Sequence, residues 1–272
     1  MNISELRLET LDLKEIEEGI GLLTLNRPDS LNSISILMLE EFDAVCSALS
    51  ESGTVRVLVM TGSGRGFCSG ADLAAAVSNR ENEPFADPER FIRMVQERYA
   101  DLILKMRRIP QPIIAAINGP AAGGGFCMAL ASDIRVAVPE AYFVASFANI
   151  GLSGGELGTS YLLPRLVGMA RAAELLYTGR KLYAEEAEKM GLVNRVAPAG
   201  ELMDAAMEYA RRMAAKNPGV LKFTKRALDQ NIDAPSLEAA INLENRNQTM
   251  LVFSGEFFKL IQGFSKKPDG HS

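Results

Sequence analysis

Short apolar runs recur along the first half of the chain and are separated by polar or glycine-rich segments. Runs at 11–16 and 20–25 flank a polar Glu-Glu-Gly turn, so they predict a β-hairpin. The nearly continuous apolar runs at 55–60 and 113–117 predict strands that are covered on both faces. A shorter run at 134–138 predicts one more strand.

Between these strands the apolar residues recur at helical spacing. Helices are predicted over 35–50, over about 88–108 and, from small residues, over 127–132. The first is marked by four apolar residues, namely Met38, Phe42, Val45 and Leu49. Strands that alternate with helices indicate an α/β core with parallel strands.

The pattern changes after Gly200, where the chain becomes helical throughout. Apolar side chains at helical spacing mark one helix, at Leu202, Ala206, Tyr209 and Met213. Further helical segments follow Pro218 and Pro235. We therefore predict a core domain over 1–199 and a C-terminal helical region over 200–272.

Composition narrows the class of protein. A length of 272 residues fits one large domain or one domain with a helical extension, and a hydrophobic share of 47% allows a sizeable core. The net charge of −5, without a basic cluster, argues against nucleic-acid binding. We expect no membrane segment and a cytoplasmic location, because the chain begins without a signal-peptide pattern and lacks an apolar run of roughly 20 residues.

The only histidine, His271, stands next to the C-terminus. A buried Ser-His-Asp catalytic triad or Cys-His dyad is therefore not expected, and neither is a zinc site with histidine ligands. Three cysteines, Cys46, Cys68 and Cys127, lie in apolar sequence and are interpreted as reduced thiols. Any chemistry must then rely on carboxylates, backbone dipoles, serine, tyrosine or cysteine side chains, or a bound cofactor.

Two glycine-rich loops follow predicted strands. The first, over 61–73, lacks the spacing of a dinucleotide-binding G-x-G-x-x-G and has no G-K-S/T. The second, over 118–126, carries three consecutive glycines before a short helix. Backbone N–H groups at such a junction allow close approach of a ligand, and the helix dipole favours a developing oxyanion. Each loop alone is equally compatible with simple flexibility or with close strand–helix packing.

Five motifs follow one another along nearly the whole chain. They are L-N-R-P-D-S-L-N-S-I-S at 25–35, F-C-S-G-A-D-L at 67–73, N-G followed by G-G-G within 118–125, L-P-R-L-V-G at 163–168 and G-L-V-N-R-V at 191–196. In this order they resemble the crotonase superfamily of enoyl-CoA hydratases and isomerases.

The resemblance implies a ββα superhelix with a C-terminal helical trimerisation region, and hence a homotrimer or hexamer. It implies an acyl-CoA thioester substrate, with CoA as part of the substrate and no separate cofactor or metal. Two backbone N–H groups, those of Ser69 and Gly124, would hold the thioester oxygen. Residues of the binding loops would lie along the acyl-CoA, namely Arg27, Gly70, Ala71, Asp72, Leu73 and Gly123.

The same resemblance bears on the group that moves the proton. Hydratases of the family use two glutamates, and the matching positions here are Cys127 and Phe147, which are assigned to the substrate-binding residues. Cys127 is interpreted as a buried small residue, with weak proton donation as the alternative. Single-acid isomerases of the family place an acid two residues before the next helix, where this chain has Glu156. The resemblance thus implies Glu156 as the proton shuttle, because a carboxylate is the natural base for removing a proton beside a thioester.

Several functions stay open on the sequence alone. They are Δ3,Δ2-enoyl-CoA isomerisation by Glu156, hydration of a 2-enoyl-CoA with Glu156 positioning water, and acyl-CoA binding without catalysis. A nicotinamide-dependent dehydrogenase is a more distant alternative, disfavoured by the glycine spacing. The polar stretch 78–89 is expected to form part of the wall of the acyl pocket.

Overall fold

A computed structural model describes residues 3–73, 87–198 and 200–265. Most of the stretch expected to wall the acyl pocket, 78–86, lies outside the described residues, as does His271. The chain forms two compact units, Met1–Ala215 and Lys216–Ser272. The helix Leu202–Ala214 thus belongs to the first unit, although it follows the boundary that the sequence predicts.

A sheet of mainly parallel strands forms the centre of the first unit. Its strands are β1 (Leu11–Glu17), β2 (Ile20–Leu25), β3 (Val57–Gly62), β4 (Ile113–Ile117), β6 (Ile134–Ala137) and β9 (Arg195–Val196). They are ordered β1-β2-β3-β4-β6-β9, with β1 and β2 antiparallel and the other pairs parallel. The predicted hairpin and the predicted buried strands are confirmed, and every residue of β4 is buried.

A second, smaller sheet has three short strands in the order β5-β7-β8, namely β5 (Ala121–Ala122), β7 (Tyr142–Val144) and β8 (Leu182–Tyr183). Runs of two or three residues are too short for periodicity to reveal, so the sequence did not predict them. Strand β5 nevertheless matters for the site, because it lies within the second glycine loop, directly before its three consecutive glycines.

Helices surround these sheets in the first unit. They are Ile36–Glu51, Pro88–Phe91, Glu97–Arg108, Gly124–Ala131, Thr159–Val167, Met169–Thr178, Ala184–Lys189 and Leu202–Ala214. The helix predicted over 35–50 is confirmed, and Ser35 caps it by accepting the N–H of Met38. The segment 88–108 is also helical, with a π-helical turn, Ile92–Gln96, in its middle.

The second unit is helical, as the sequence predicts. Its helices are Pro218–Asn231, Leu237–Val252 and Glu256–Ser265. Asn217 and Ser236 cap the first two of these helices through their side chains. None of the helices in the described ranges has both the length and the apolar character that crossing a bilayer requires.

The topology brings the two glycine loops together. The first loop leaves the carboxyl end of β3 and the second leaves the carboxyl end of β4, and these strands are parallel neighbours. Loops that leave the same edge of a parallel sheet meet there. A β-bridge between Cys68 and Ala121 joins the loops directly.

Candidate active site

A buried asparagine holds the first glycine loop in shape. The Asn32 amide donates to the carbonyl oxygens of Ser63, Gly66 and Phe67 at 3.0, 2.9 and 3.2 Å. Its own oxygen accepts the N–H of Arg27 at 2.9 Å. Because Asn32 is completely buried, these bonds are not exchanged with water, so the loop is fixed before a ligand arrives.

The prediction that Ser69 supplies an oxyanion N–H is wrong. That N–H donates to the carbonyl oxygen of Leu31 at 2.9 Å, so it is not available to a thioester oxygen. The Ser69 hydroxyl likewise donates to the Ser30 carbonyl at 3.0 Å. Both groups tie the loop to the segment that follows β2.

The N–H two residues further on, at Ala71, is available instead. On either side of it, the Ile34 N–H donates to the Gly70 carbonyl at 2.8 Å and the Asp72 N–H donates to the Ile34 carbonyl at 3.1 Å. This bridge leaves the Ala71 N–H without a hydrogen-bond partner among the described residues. Ala71 lines a cavity, which is where a ligand oxygen could accept from it.

The second loop contributes a N–H group at the start of a buried helix. Gly124 opens the helix Gly124–Ala131, so its N–H has no partner within that helix. The two loops approach closely here, since a Cβ added to Gly70 would lie 3.1 Å from the Gly124 nitrogen. Gly125 serves packing instead, because a Cβ there would stand 2.2 Å from the Cys68 carbonyl oxygen.

These groups face a cavity of about 320 Å³. Every predicted site residue except Arg27 and Cys127 lines it, namely Ser69, Gly70, Ala71, Asp72, Leu73, Gly123, Gly124, Phe147 and Glu156. Further lining residues were not predicted, namely Phe91, Val95, Gln96, Tyr99, Ser146, Ile150, Leu152 and Leu157. The i, i+4, i+8 spacing of Phe91, Val95 and Tyr99 was the signal that could have revealed one helical wall.

Tyr99 joins this wall to the first loop. Its hydroxyl donates to the Ile34 carbonyl at 2.8 Å, and Ile34 bonds to the backbone on either side of Ala71. Burial, followed by the charge of Asp72, raises the pKa of Tyr99 to about 12. Tyr99 therefore stays a neutral donor at neutral pH and supports the loop rather than moving protons.

Arg27 lies outside the cavity lining and pairs with the loop. Its guanidinium donates to the Asp72 carboxylate at 2.9 Å and to the Ser33 carbonyl at 2.6 Å. A contact between Arg27 and CoA stays a prediction. The pairing does show that the Asp72 charge already has a cationic partner.

The main chain of Glu156 is held in place from three directions. Its N–H donates to the Thr159 hydroxyl oxygen at 3.0 Å, and its carbonyl accepts from the Thr159 N–H at 2.9 Å. The Cys127 thiol lies 3.8 Å from the same carbonyl and donates to it. The next residue, Leu157, has a φ of 47°, a conformation that L-residues rarely adopt and that concentrates at functional sites.

The expectation that Cys127 contacts the substrate is wrong. Its side chain is completely buried and lies behind Glu156, outside the cavity lining. Burial, and then the nearby charge of Glu156, raises the pKa of the Cys127 thiol far above its ordinary value. A thiol of this kind is a small packing group rather than a proton donor.

Comparison with known proteins decides the family. The enoyl-CoA hydratase/isomerase family model matches residues 15–270. The chain belongs to that family. It is 46% identical over 229 residues to a probable enoyl-CoA hydratase of Mycobacterium tuberculosis. The aligned residues make up 84% of this chain and 80% of that protein.

Solved structures of the enoyl-CoA hydratase/isomerase family share the fold. An enoyl-CoA hydratase from Bacillus anthracis has a TM-score of 0.86 at 30% identity, covering 95% of this chain and 96% of that one. A monofunctional enoyl-CoA isomerase from M. smegmatis has a TM-score of 0.72 at 39% identity, covering 85% and 98%. The chain is therefore an α/β crotonase-fold enzyme that acts on acyl-CoA, with C-terminal helices.

Proposed function

We propose that this enzyme isomerises 3-enoyl-CoA to 2-enoyl-CoA, with Glu156 as the base. The carboxylate removes a proton from C2, and the electron pair of that C–H bond moves into an enolate. The same carboxyl then delivers the proton to C4 as the double bond moves from C3–C4 to C2–C3. No other reactant is consumed, and one acid suffices for both transfers.

The N–H groups of Ala71 and Gly124 are proposed to hold the enolate oxygen. Both residues line the cavity, and neither N–H has a hydrogen-bond partner among the described residues. The positive end of the dipole of the helix Gly124–Ala131 adds favourable potential for a developing negative charge. Fixed donors of this kind stabilise charge without reorganising during the reaction.

The choice of base depends on which carboxylate in the cavity forms no ion pair with a cationic side chain. Among the described residues that line it, carboxylates come from Asp72 and Glu156. Asp72 forms an ion pair with Arg27 at 2.9 Å, whereas Glu156 accepts only a neutral amide bond, from Gln96. This difference is the observation that carries the proposal.

Hydration is the second candidate, and the M. tuberculosis relative is named for it. In the crotonase hydratases that this chain resembles, two glutamates share the work, and here Cys127 and Phe147 take their places. Both side chains are buried, and neither can activate water. Isomerisation, which needs one acid, suits the residues better, and the M. smegmatis relative is named an isomerase.

The test is to incubate the purified protein separately with a 3-enoyl-CoA and a 2-enoyl-CoA and to follow the absorbance of the conjugated thioester. Isomerisation raises the absorbance with the first substrate, whereas hydration lowers it with the second. Glu156→Gln is expected to reduce the rate roughly 100-fold or more. The control Glu97→Gln removes a nearby carboxylate that does not line the 320 Å³ cavity, and should leave the rate unchanged.

Three outcomes would count against the proposal. Near-normal turnover by Glu156→Gln removes this residue from the mechanism. A reaction with 2-enoyl-CoA alone assigns hydration. Tight acyl-CoA binding without change in either substrate favours a binding protein that has lost catalysis.

A further inference from the structure

The helix that walls the cavity contains a π-helical turn, Ile92–Gln96, in which the Ile92 carbonyl accepts the N–H of Glu97 five residues later. Such turns insert one residue into an α-helix and often occur at functional sites. Residues five apart in a regular α-helix point about 140° apart, at about 100° per residue. Here the wider turn follows Phe91, and Phe91 and Gln96 both line the cavity.

The turn brings Gln96 against the proposed base. The Gln96 amide nitrogen donates to one carboxylate oxygen of Glu156 at 3.2 Å, across 60 residues of sequence. In the described part of the chain no other side chain bonds to that carboxylate. One oxygen is thus held, and the other has no partner among these residues.

This pair also separates two cavities. Gln96, Glu156 and Leu157 line the 320 Å³ cavity and a neighbouring, largely apolar one of about 340 Å³. The main chain of Glu156 is fixed by Thr159, so rotation of its side chain decides which cavity the carboxylate faces. The Gln96 amide restrains that rotation.

We propose that Gln96 is a positioning residue that holds one carboxylate oxygen of Glu156, so that the other is aimed at the substrate's C2 and C4. The inference rests on the proposed role of Glu156. It gives the π-helical turn a role, because this turn allows Gln96 to line the same cavity as Phe91, five residues before it. Gln96 acts through Glu156 and takes no proton itself.

The first test is Gln96→Met, which keeps the length of the side chain and removes the donor. Because a hydrogen bond to a charged group is stronger than a neutral one, we expect kcat to fall roughly 10- to 100-fold. KM should stay within about twofold of the wild-type value. The change misaligns Glu156 in the transition state, which lowers kcat, but it leaves the contacts that bind the substrate unchanged. Glu97→Gln, beside it in sequence, is the matched control and should change neither constant.

The second test, Gln96→Glu, distinguishes positioning from simple packing. At neutral pH the introduced carboxylate has no N–H to donate and also repels the Glu156 carboxylate. We therefore expect kcat to fall below that of Gln96→Met. On acidification a shared proton restores a hydrogen bond between the two carboxyls, so kcat relative to wild type should rise. A packing role would give no such pH dependence.

The outcomes separate this inference from the proposed function. If the wild type is active and Gln96→Met has the same kcat, the positioning role is overturned but the proposed function is not. A raised KM with normal kcat also overturns it, by making Gln96 a binding contact. Failure of the wild type with both enoyl-CoA substrates overturns the proposed function and the inference with it. Circular dichroism and thermal melting confirm that each variant is folded.

Discussion

The guanidinium of Arg27 and the carboxylate of Asp72 form an ion pair of 2.9 Å that joins the segment after β2 to the first glycine loop. Their side chains are only 27% and 18% exposed, so the pair is shielded from most of the solvent. Ser33 completes the arrangement, since its carbonyl and hydroxyl oxygens both accept from Arg27. The loop that presents Ala71 is therefore braced by a charge pair.

Asp72→Asn should weaken this brace without removing the base. We expect the free energy of unfolding to fall by about 1–2 kcal/mol, because a charge-assisted bond becomes a neutral one. The fall in kcat should be far smaller than for Glu156→Gln. Urea denaturation and steady-state kinetics provide the measurements.

A matched control exists at the surface. Asp12 pairs with Lys14 at 2.6 Å, but these side chains are 42% and 67% exposed. Asp12→Asn should change the free energy of unfolding by less than about 0.5 kcal/mol. If Asp72→Asn lost activity as severely as Glu156→Gln, Asp72 would have to be considered as the base.

Gly70→Ala tests the proposed oxyanion hole. Gly70 has a φ of 93°, and an added Cβ would lie 2.8 Å from the Ala122 carbonyl oxygen and 3.1 Å from the Gly124 nitrogen. The loops must then move apart, which displaces the N–H groups of Ala71 and Gly124. Because one lost donor costs roughly 100- to 1000-fold in kcat, we expect a fall of that order.

Two further variants make the Gly70→Ala result interpretable. Gly53→Ala is a matched control, because nothing lies within 4 Å of the added Cβ. Ser69→Ala keeps the backbone N–H that donates to Leu31, so its kcat should stay within about threefold of wild type. A folded Gly70→Ala protein with normal kcat would argue against a donor pair at this junction.

The sequence predicts the parts of the fold that depend on burial. Strand β4 is completely buried, and its continuous apolar run predicts it, whereas β5 has only two residues and so shows no periodicity. For the first oxyanion N–H, motif spacing predicts Ser69, whereas the hydrogen bonds favour Ala71, two residues further on. Motif spacing locates a loop, but the direction of each N–H depends on the bridge that Ile34 makes with Gly70 and Asp72.

Gln96 shows a different limit of sequence reasoning. Helical periodicity assumes a constant turn, and the π-helical turn Ile92–Gln96 breaks that assumption without a glycine or proline to announce it. The contact with Glu156 spans 60 residues, so only the tertiary structure reveals it. The proposal for Glu156, by contrast, arises from the sequence, because a local motif contains this residue.

The buried thiols give a prediction that depends on pH. Burial raises the pKa of Cys68 to about 12 and also raises that of Cys127, whereas an unfolded thiol ionises near about 8.5. The native thiols thus stay protonated at pH 8, and iodoacetamide should label neither until the protein is unfolded. Rapid labelling at Cys68 or Cys127 in the folded protein would contradict their burial.

The same shift predicts a loss of stability in alkali. A raised pKa in the folded state stabilises the protein fully below about pH 8.5, and this contribution is lost as the pH rises toward the folded value. Between pH 8 and 10 the free energy of unfolding should fall by roughly 1–2 kcal/mol for Cys68 alone, at 1.4 kcal/mol per pH unit above its unfolded value. Urea denaturation at the two pH values measures the fall, and Cys68→Ala should reduce it by about that amount. An unchanged pH dependence in Cys68→Ala would show that this thiol does not contribute, whatever other groups titrate in the same range.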